Sequence, residues 1–325
     1  MQGFSPQGDA LYGRFMSLGT LNEIELFGGA ADALAQAEKR VHEIDDRMSA
    51  FKPASDISRL NAFAGRKAVD LHPETLALLA MAKTIWAESR GAFDITVRPL
   101  TKLWAIGKEG ETILPACEIA RARKLVGSRR LVCDTKRMRA FLKKPGQAVD
   151  LGGIAKGYAA DEVKRILVEN GVQSALVNLG GNIAAVGARP DGSPWCVGIQ
   201  NPVAPRGACL ARLSVSDCSV VTSGSNERFF IRDGMRYHHI LDPRTGWPAQ
   251  SGFLSVTVVC KRSVVADALS TALFAGGMRQ LPLLRKYGAE AVIATERGEL
   301  YATRGLSGRL EILSEQTERR SQRHA

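Results

Sequence analysis

From Ser174 to Thr295 the chain reads as a succession of strands with one helix set among them. Apolar or alternating runs at Ser174 to Asn178, Trp195 to Ile199, Arg212 to Val215, Phe229 to Arg232, Phe253 to Cys260 and Ala291 to Thr295 have strand character. The stretch from about Ser263 to Phe274 has helical spacing, with Ser263 placed as its N-cap. The regular β-α-β alternation that a parallel sheet requires is missing, which favours an α+β fold over a doubly wound one. A chain of 325 residues is long for one core, so one large domain or two closely packed lobes is expected, with mixed or antiparallel sheets.

The first half supplies most of the helices. Leu18 to Phe27 alternates as a first strand, and Leu34, Ala37, Val41, Ile44 and Met48 then follow at steps of three and four on one helix face. Ser49 to Asn61 reads as a loop. Pro73 opens a second helix that turns Leu76, Leu79 and Trp86 inward, and Gly91 stands where a C-terminal cap belongs. From Lys108 to Pro145 the sequence is polar and basic, with short helix and strand pieces. Residues 1–17 read as an N-terminal extension, 18–312 as the functional domain and 313–325 as a flexible tail.

A net charge of +11 suits phosphate-bearing ligands or an acidic partner. The basic residues are spread along the chain, and clusters such as Arg121-Ala122-Arg123-Lys124 and Arg129-Arg130 read as solvated helix faces. With 6% aromatic residues and no basic run interleaved with stacking rings, no nucleic-acid partner is expected. The cysteines form no C-x-x-C pair and no zinc spacing, as in a reducing compartment. No signal peptide and no run of ~20 apolar residues is visible, so a cytoplasmic protein without a transmembrane segment is the expectation.

Several stretches could carry chemistry. In Asp150-Leu-Gly-Gly-Ile-Ala-Lys156-Gly-Tyr-Ala-Ala-Asp161 a small-residue turn precedes a helix start, where backbone N–H groups and the helix dipole attract an anion. Lys156 opposes that dipole unless something negative lies beside it, so the run is either an anion site or a tight turn with an exposed lysine. Asp267 and Thr271 are spaced i, i+4 on one helix face and could share a hard cation, or serve as a dipole-favouring Asp and a back-bonded Thr. His239 beside an ionised Asp242 could accept a proton, whereas His238 points to the opposite face and reads as structural. Thr222-Ser223-Gly224, Asn178 to Asn182 and Gly91 to Thr96 are less specific, each a ligand contact or a plain turn. No nucleophile elbow is present, which argues against a hydrolase triad.

Taken together and in this order, these stretches resemble the ApbE family, the FAD:protein FMN transferases. The resemblance runs from about Leu18 to Gly277. It is carried by Met48-Ser49 with Ser55 to Asn61, Gly91 to Thr96 through Pro99-Leu100, Asp150 to Asp161, Asn178 to Gly181, Thr222 to Gly224, His239 to Gly246 and Ala266 to Thr271. It implies an α+β protein with FAD in a cleft between two lobes and magnesium (Mg2+) at the diphosphate. Asp267 and Thr271 would bind the metal by side chain and Gly153 by its carbonyl, with Lys156 near the phosphates. Met48, Ala92, Phe93, Asp94, Asp150 and Leu241 would contact the flavin nucleotide.

The implied reaction moves FMN from FAD to a Thr or Ser hydroxyl of an acceptor flavoprotein and releases AMP. His239, which directly precedes Ile-Leu-Asp-Pro as the family histidine does, would accept the hydroxyl proton. Hydrolysis of FAD to FMN and AMP, or flavin binding without turnover, are the competing readings. Asn182 stands where the family frequently has an acid, Phe51 where a tyrosine is common, and the first cysteine is Cys117, so no lipid anchor is expected.

Overall fold

The computed structural model describes residues 10–28, 31–107 and 112–313. Residues 1–9 of the expected extension, Lys108, and residues 314–325 of the expected tail lie outside the described residues. The first half runs β1 (Leu11–Ser17), β2 (Thr20–Phe27), α1 (Ala31–Met48), α2 (Asp56–Ala62), β3 (Val69–Asp70), α3 (Pro73–Glu88), α4 (Arg98–Trp104), α5 (Ala116–Arg123), β4 (Leu131–Asp134) and β5 (Arg139–Leu142). The second half begins with α6 (Ala155–Glu169), β6 (Ser174–Leu179), β7 (Asn182–Val186), β8 (Trp195–Gln200), β9 (Cys209–Val215) and β10 (Ser219–Gly224). It continues through β11 (Phe229–Arg232), β12 (Met235–His238), β13 (Phe253–Cys260), α7 (Ser263–Gly276), α8 (Leu281–Tyr287), β14 (Glu290–Thr295), β15 (Leu300–Ala302) and β16 (Leu310–Ile312).

The expected α+β class is what the structure has. An eight-stranded sheet runs β1-β2-β6-β7-β10-β13-β14-β15, and every neighbouring pair is antiparallel. Helices α1, α6 and α7 pack on one face, and the small sheet β16-β9-β8 covers part of the other. β13 shows why the sequence looks uniformly apolar there: Val256, Val258 and Cys260 join the helix-side core, while Val259 joins the core of the small sheet. A strand buried on both faces has no polar side to show. No helix among the described residues is long and apolar enough to cross a membrane.

α7 is the centre of the packing. Val264, Ala266, Ala268, Leu269, Ala272, Leu273 and Phe274 are all buried, so the helix is covered on every side rather than along one stripe. Anything polar on it is buried with it and has to find a partner.

The structure departs from the sequence reading in four places. The strand expected from Leu18 starts at Thr20 as β2, because Leu18 and Gly19 (φ 54° and 71°) form a tight turn; residues 11–17, taken as extension, are strand β1 with Ser17 opposite Thr20. The supposed loop Ser49 to Asn61 contains α2, whose N-cap Ser55 accepts the Ser58 N–H at 2.9 Å. Trp86 is partly exposed, not inward. Ser263 is the first residue of α7 and makes no side-chain cap; the cap comes from another helix.

Candidate active site

That cap is Asp161, at the end of the Gly-rich run and on α6. Its carboxylate accepts the backbone N–H of Ser263 at 2.6 Å and of Val264 at 3.0 Å, satisfying two of the donors that a helix start leaves open. Ser263 in turn gives its hydroxyl proton to Asn182 Oδ1 at 2.6 Å, tying α7 to β7. One turn further on, Gly157 donates its N–H to Asp267 Oδ2 at 2.8 Å. A glycine is needed there: a β-carbon would lie 2.4 Å from the Ser263 carbonyl oxygen and 2.7 Å from Asp267 Cβ.

Asp267 is 3% exposed. Burial pushes its carboxyl up from the ordinary range, and the nearby Lys156 ammonium and the Gly157 N–H oppose that shift. Among the described residues no hydrogen bond reaches its Oδ1. The dipole conflict seen in the sequence is thereby resolved, since Lys156, in the first turn of α6, has Asp267 across from it. Lys156 Nζ also approaches the Gly152 carbonyl at 3.4 Å.

Hydroxyl oxygens gather beside this pair. Ser223 Oγ on β10 lies 2.9 Å from Ser270 Oγ and 3.4 Å from Thr271 Oγ1 on α7. Gly153 faces Thr271, because a methyl group on it would sit 3.2 Å from Thr271 Oγ1 and 3.4 Å from Phe93 Cε2. One buried carboxylate with a spare oxygen, neighbouring hydroxyls and backbone carbonyls form an all-oxygen donor set. No group of three or more His, Cys, Asp or Glu side chains suited to a metal occurs among the described residues. Magnesium fits such a site, because it uses one or two carboxylates and leaves other positions to water or phosphate.

Asp150 stands at the other end of the turn. Its N–H donates to Ile95 O at 2.7 Å, and Asn61 holds the preceding Val149 through both backbone groups, at 2.7 and 2.9 Å. Arg98 donates to Asp150 Oδ2 at 3.1 Å and to Ala50 O at 2.6 Å, while its guanidinium lies 4.5 Å from the centroid of the exposed Phe51 ring. Phe51, Arg98 and Asp150 therefore form one continuous wall beside the Gly-rich turn.

His239 follows β12 directly. Its Nδ1 lies 3.3 Å from the Arg228 carbonyl, which can only accept, so Nδ1 carries the proton and Nε2 keeps its lone pair. Burial, with the Arg228 and Lys156 charges adding to it, holds the imidazole down to about 4. Asp242 is not its partner, contrary to the sequence reading. Arg244 claims that carboxylate with two side-chain bonds of 2.8 Å and one from its own N–H. His238, as expected, is structural: Nε2 donates to Ala249 O at 3.0 Å and the ring meets Phe274 edge-on.

These motifs share one chain with a match to the ApbE family model over residues 18–293. The chain belongs to the ApbE family. It is 37% identical over 289 residues to a FAD:protein FMN transferase of Treponema pallidum (strain Nichols), covering 82% of this chain and 78% of that protein. It is 34% identical over 262 residues to one from Klebsiella pneumoniae (strain 342), covering 80% and 81%. Among solved structures, the ApbE protein of Thermotoga maritima superposes with a TM-score of 0.84 at 31% identity, covering 92% of this chain and 98% of that one. The flavin transferase ApbE from Vibrio cholerae gives 0.83 at 27% identity, covering 93% and 99%.

Several expected pocket residues of this ApbE-family chain sit differently from the sequence reading. Met48 is 2% exposed and belongs to the core of α1, so it offers almost no side-chain surface to a ligand; Phe51 three residues on is the exposed one. Ala92, Phe93 and Leu241 are buried as well, and of these only the Phe93 ring is aimed at Gly153. Asp94 is occupied. Its Oδ1 accepts from Thr96 N, Thr96 Oγ1 and Ser128 Oγ, and its Oδ2 from Ser128 N, at 2.7–3.0 Å, which ties two loops together.

Sequence reasoning missed Arg98, Ser270 and the capping role of Asp161. Arg98 has its partners 48 and 52 residues away, and nothing local announces them. Asp161 carried a readable signal, since a lone acid at an inward position of α6 needs donors from somewhere.

Proposed function

We propose that this chain transfers the FMN moiety of FAD to a Thr or Ser hydroxyl of a target flavoprotein and releases AMP. The observation that supports this most is the oxygen cluster of Asp267, Thr271, Ser270 and Ser223 facing Gly153, with Lys156 beside it and an uncharged His239 within its electrostatic reach.

Asp267 and Thr271 by side chain, and Gly153 by its carbonyl, would hold magnesium there. Bound at that place, the ion would neutralise negative charge on the diphosphate. Lys156 adds a fixed positive charge at the same spot, in a site already organised before reaction. The acceptor oxygen forms a bond to the FMN-side phosphorus as the bond from that phosphorus to the bridging oxygen breaks, and AMP departs with the bridging oxygen. His239 Nε2 takes the hydroxyl proton, a role typically worth about 10²–10⁴-fold. Asp150, held by Arg98, and the exposed Phe51 ring orient the nucleotide.

Incubation with FAD, Mg²⁺ and a Thr-containing acceptor flavoprotein, followed by mass measurement of the acceptor, tests the reading. The expected result is an acceptor heavier by one FMN phosphodiester with AMP released in equal amount. AMP released with the acceptor unmodified would mean hydrolysis, and tight FAD binding with no AMP would mean a carrier.

A further inference from the structure

The basic clusters that read as solvated helix faces converge on a cavity. Arg90, Arg123, Lys124, Arg129, Arg130 and Lys144 line a concave space of about 620 Å³, with Trp86 as its aromatic wall. None of these six cations forms an ion pair with a carboxylate among the described residues. Arg244, also on the rim, is paired to Asp242, and Asp94, the one lining carboxylate among the described residues, spends both oxygens on Thr96 and Ser128. Much of the chain's excess of +11 thus stands around one hollow, opposed there among the described residues only by the Asp94 carboxylate, whose oxygens are already taken.

Three of these cations are also held in place. Arg130 Nη2 donates to the Lys124 and Val126 carbonyls at 2.9 and 2.7 Å, Lys144 Nζ to Lys124 O at 3.0 Å, and Arg123 Nη1 to Arg244 O at 3.1 Å. Arg130 Nε is buried with no acceptor among the described residues. Gathering like charges costs free energy unless an anion offsets it, and a buried donor without a partner costs more. A volume of this size suits a small ligand, not a protein surface. Planar guanidinium groups beside an indole match phosphate groups carrying an aromatic base.

We propose that this cavity is a second ligand site of the protein, taking a nucleotide that bears two or more phosphates. It is separate from the Lys156–Asp267 centre: Asp150, Gly153, Lys156, His239, Asp267 and Thr271 are not among its lining residues. It lies across the Gly91–Asp94 segment from that centre, because Phe93 turns toward Gly153 whereas Gly91 and Asp94 line the cavity.

The test is calorimetric titration of the full chain with ADP and with inorganic pyrophosphate, in EDTA so that the metal-dependent centre contributes nothing. Saturable binding of ADP is expected, weakened by about tenfold or more in the exposed double variant Lys124→Glu/Arg129→Glu and weakened by added salt. FAD-dependent AMP release by that variant should be unchanged. Absence of saturable binding, or binding undiminished in the double variant, would overturn the proposal. A parallel fall of ADP affinity and FAD turnover would overturn it too, by making the cavity part of the FAD site. The binding arm reads out even if the chain turns over no FAD.

Discussion

The backbone N–H of Gly157 and the carboxylate of Asp267 meet at 2.8 Å, and this one bond joins the Gly-rich helix start to the buried helix that carries the oxygen cluster. Gly157→Ala puts a methyl group 2.4 Å from Ser263 O and 2.7 Å from Val264 Cα, contacts that backbone atoms cannot relieve without parting α6 from α7. A loss of about 1–3 kcal/mol of stability is expected from such overpacking, with turnover falling further than stability. Urea unfolding alongside AMP release measures both; a variant with unchanged turnover would show that the two helices need no close approach.

Asp161→Ala removes the acceptor for two N–H groups at the start of α7. About 1–3 kcal/mol of stability should be lost. If Asp161 acts by positioning Asp267, the half-saturating Mg²⁺ concentration rises while turnover at saturating Mg²⁺ changes less. Equal loss in both would assign it a purely structural role.

Asp267→Ala should abolish AMP release. It should also remove any stabilisation by the metal, since a ligand that binds only the folded state raises its stability by mass action. A thermal melt with increasing MgCl2 is expected to shift upward in the unaltered protein and to stay flat in the variant. A variant that still shifts would place the metal elsewhere.

His239 is held down to about 4, below the ordinary histidine value of 6.5, so the folded protein binds fewer protons than the unfolded chain between those two pH values. Stability from this group is therefore present above 6.5 and declines as pH falls toward 4. For catalysis the same shift keeps Nε2 a free acceptor far into acid, so the acid limb of kcat/KM should lie near 4 rather than near 6.5. His239→Asn should flatten that limb along with most of the rate. A limb that survives the substitution would belong to another group.

Much of this was legible in the sequence, for identifiable reasons. β11 and β13 could be read directly because their apolar runs, Phe229 to Arg232 and Phe253 to Cys260, are marked locally. The i, i+4 spacing of Asp267 and Thr271 placed both on one face of α7. What stayed hidden depends on distant partners. Asp242 looked like the carboxylate for His239 until Arg244, two residues away, was seen to grip it. Met48 fits the helical period and the nucleotide motif equally well in one dimension, and that its side chain is spent on the core shows only once the helices are packed. The cations around Trp86 are scattered over more than 150 positions of chain from Arg90 to Arg244, so no run of sequence reveals that they face one hollow.

The burial of α7 on every side means that the proposed centre and the core that holds the chain together are built from one helix. Ser270, Asp267 and Thr271 share their helix with Leu269, Leu273 and Phe274, the residues that fill the middle of the molecule. Within α7, a random-substitution library scored for activity would return nearly the same positions as one scored for folding yield. A change that retunes the proposed centre there would disturb the middle of the molecule as well.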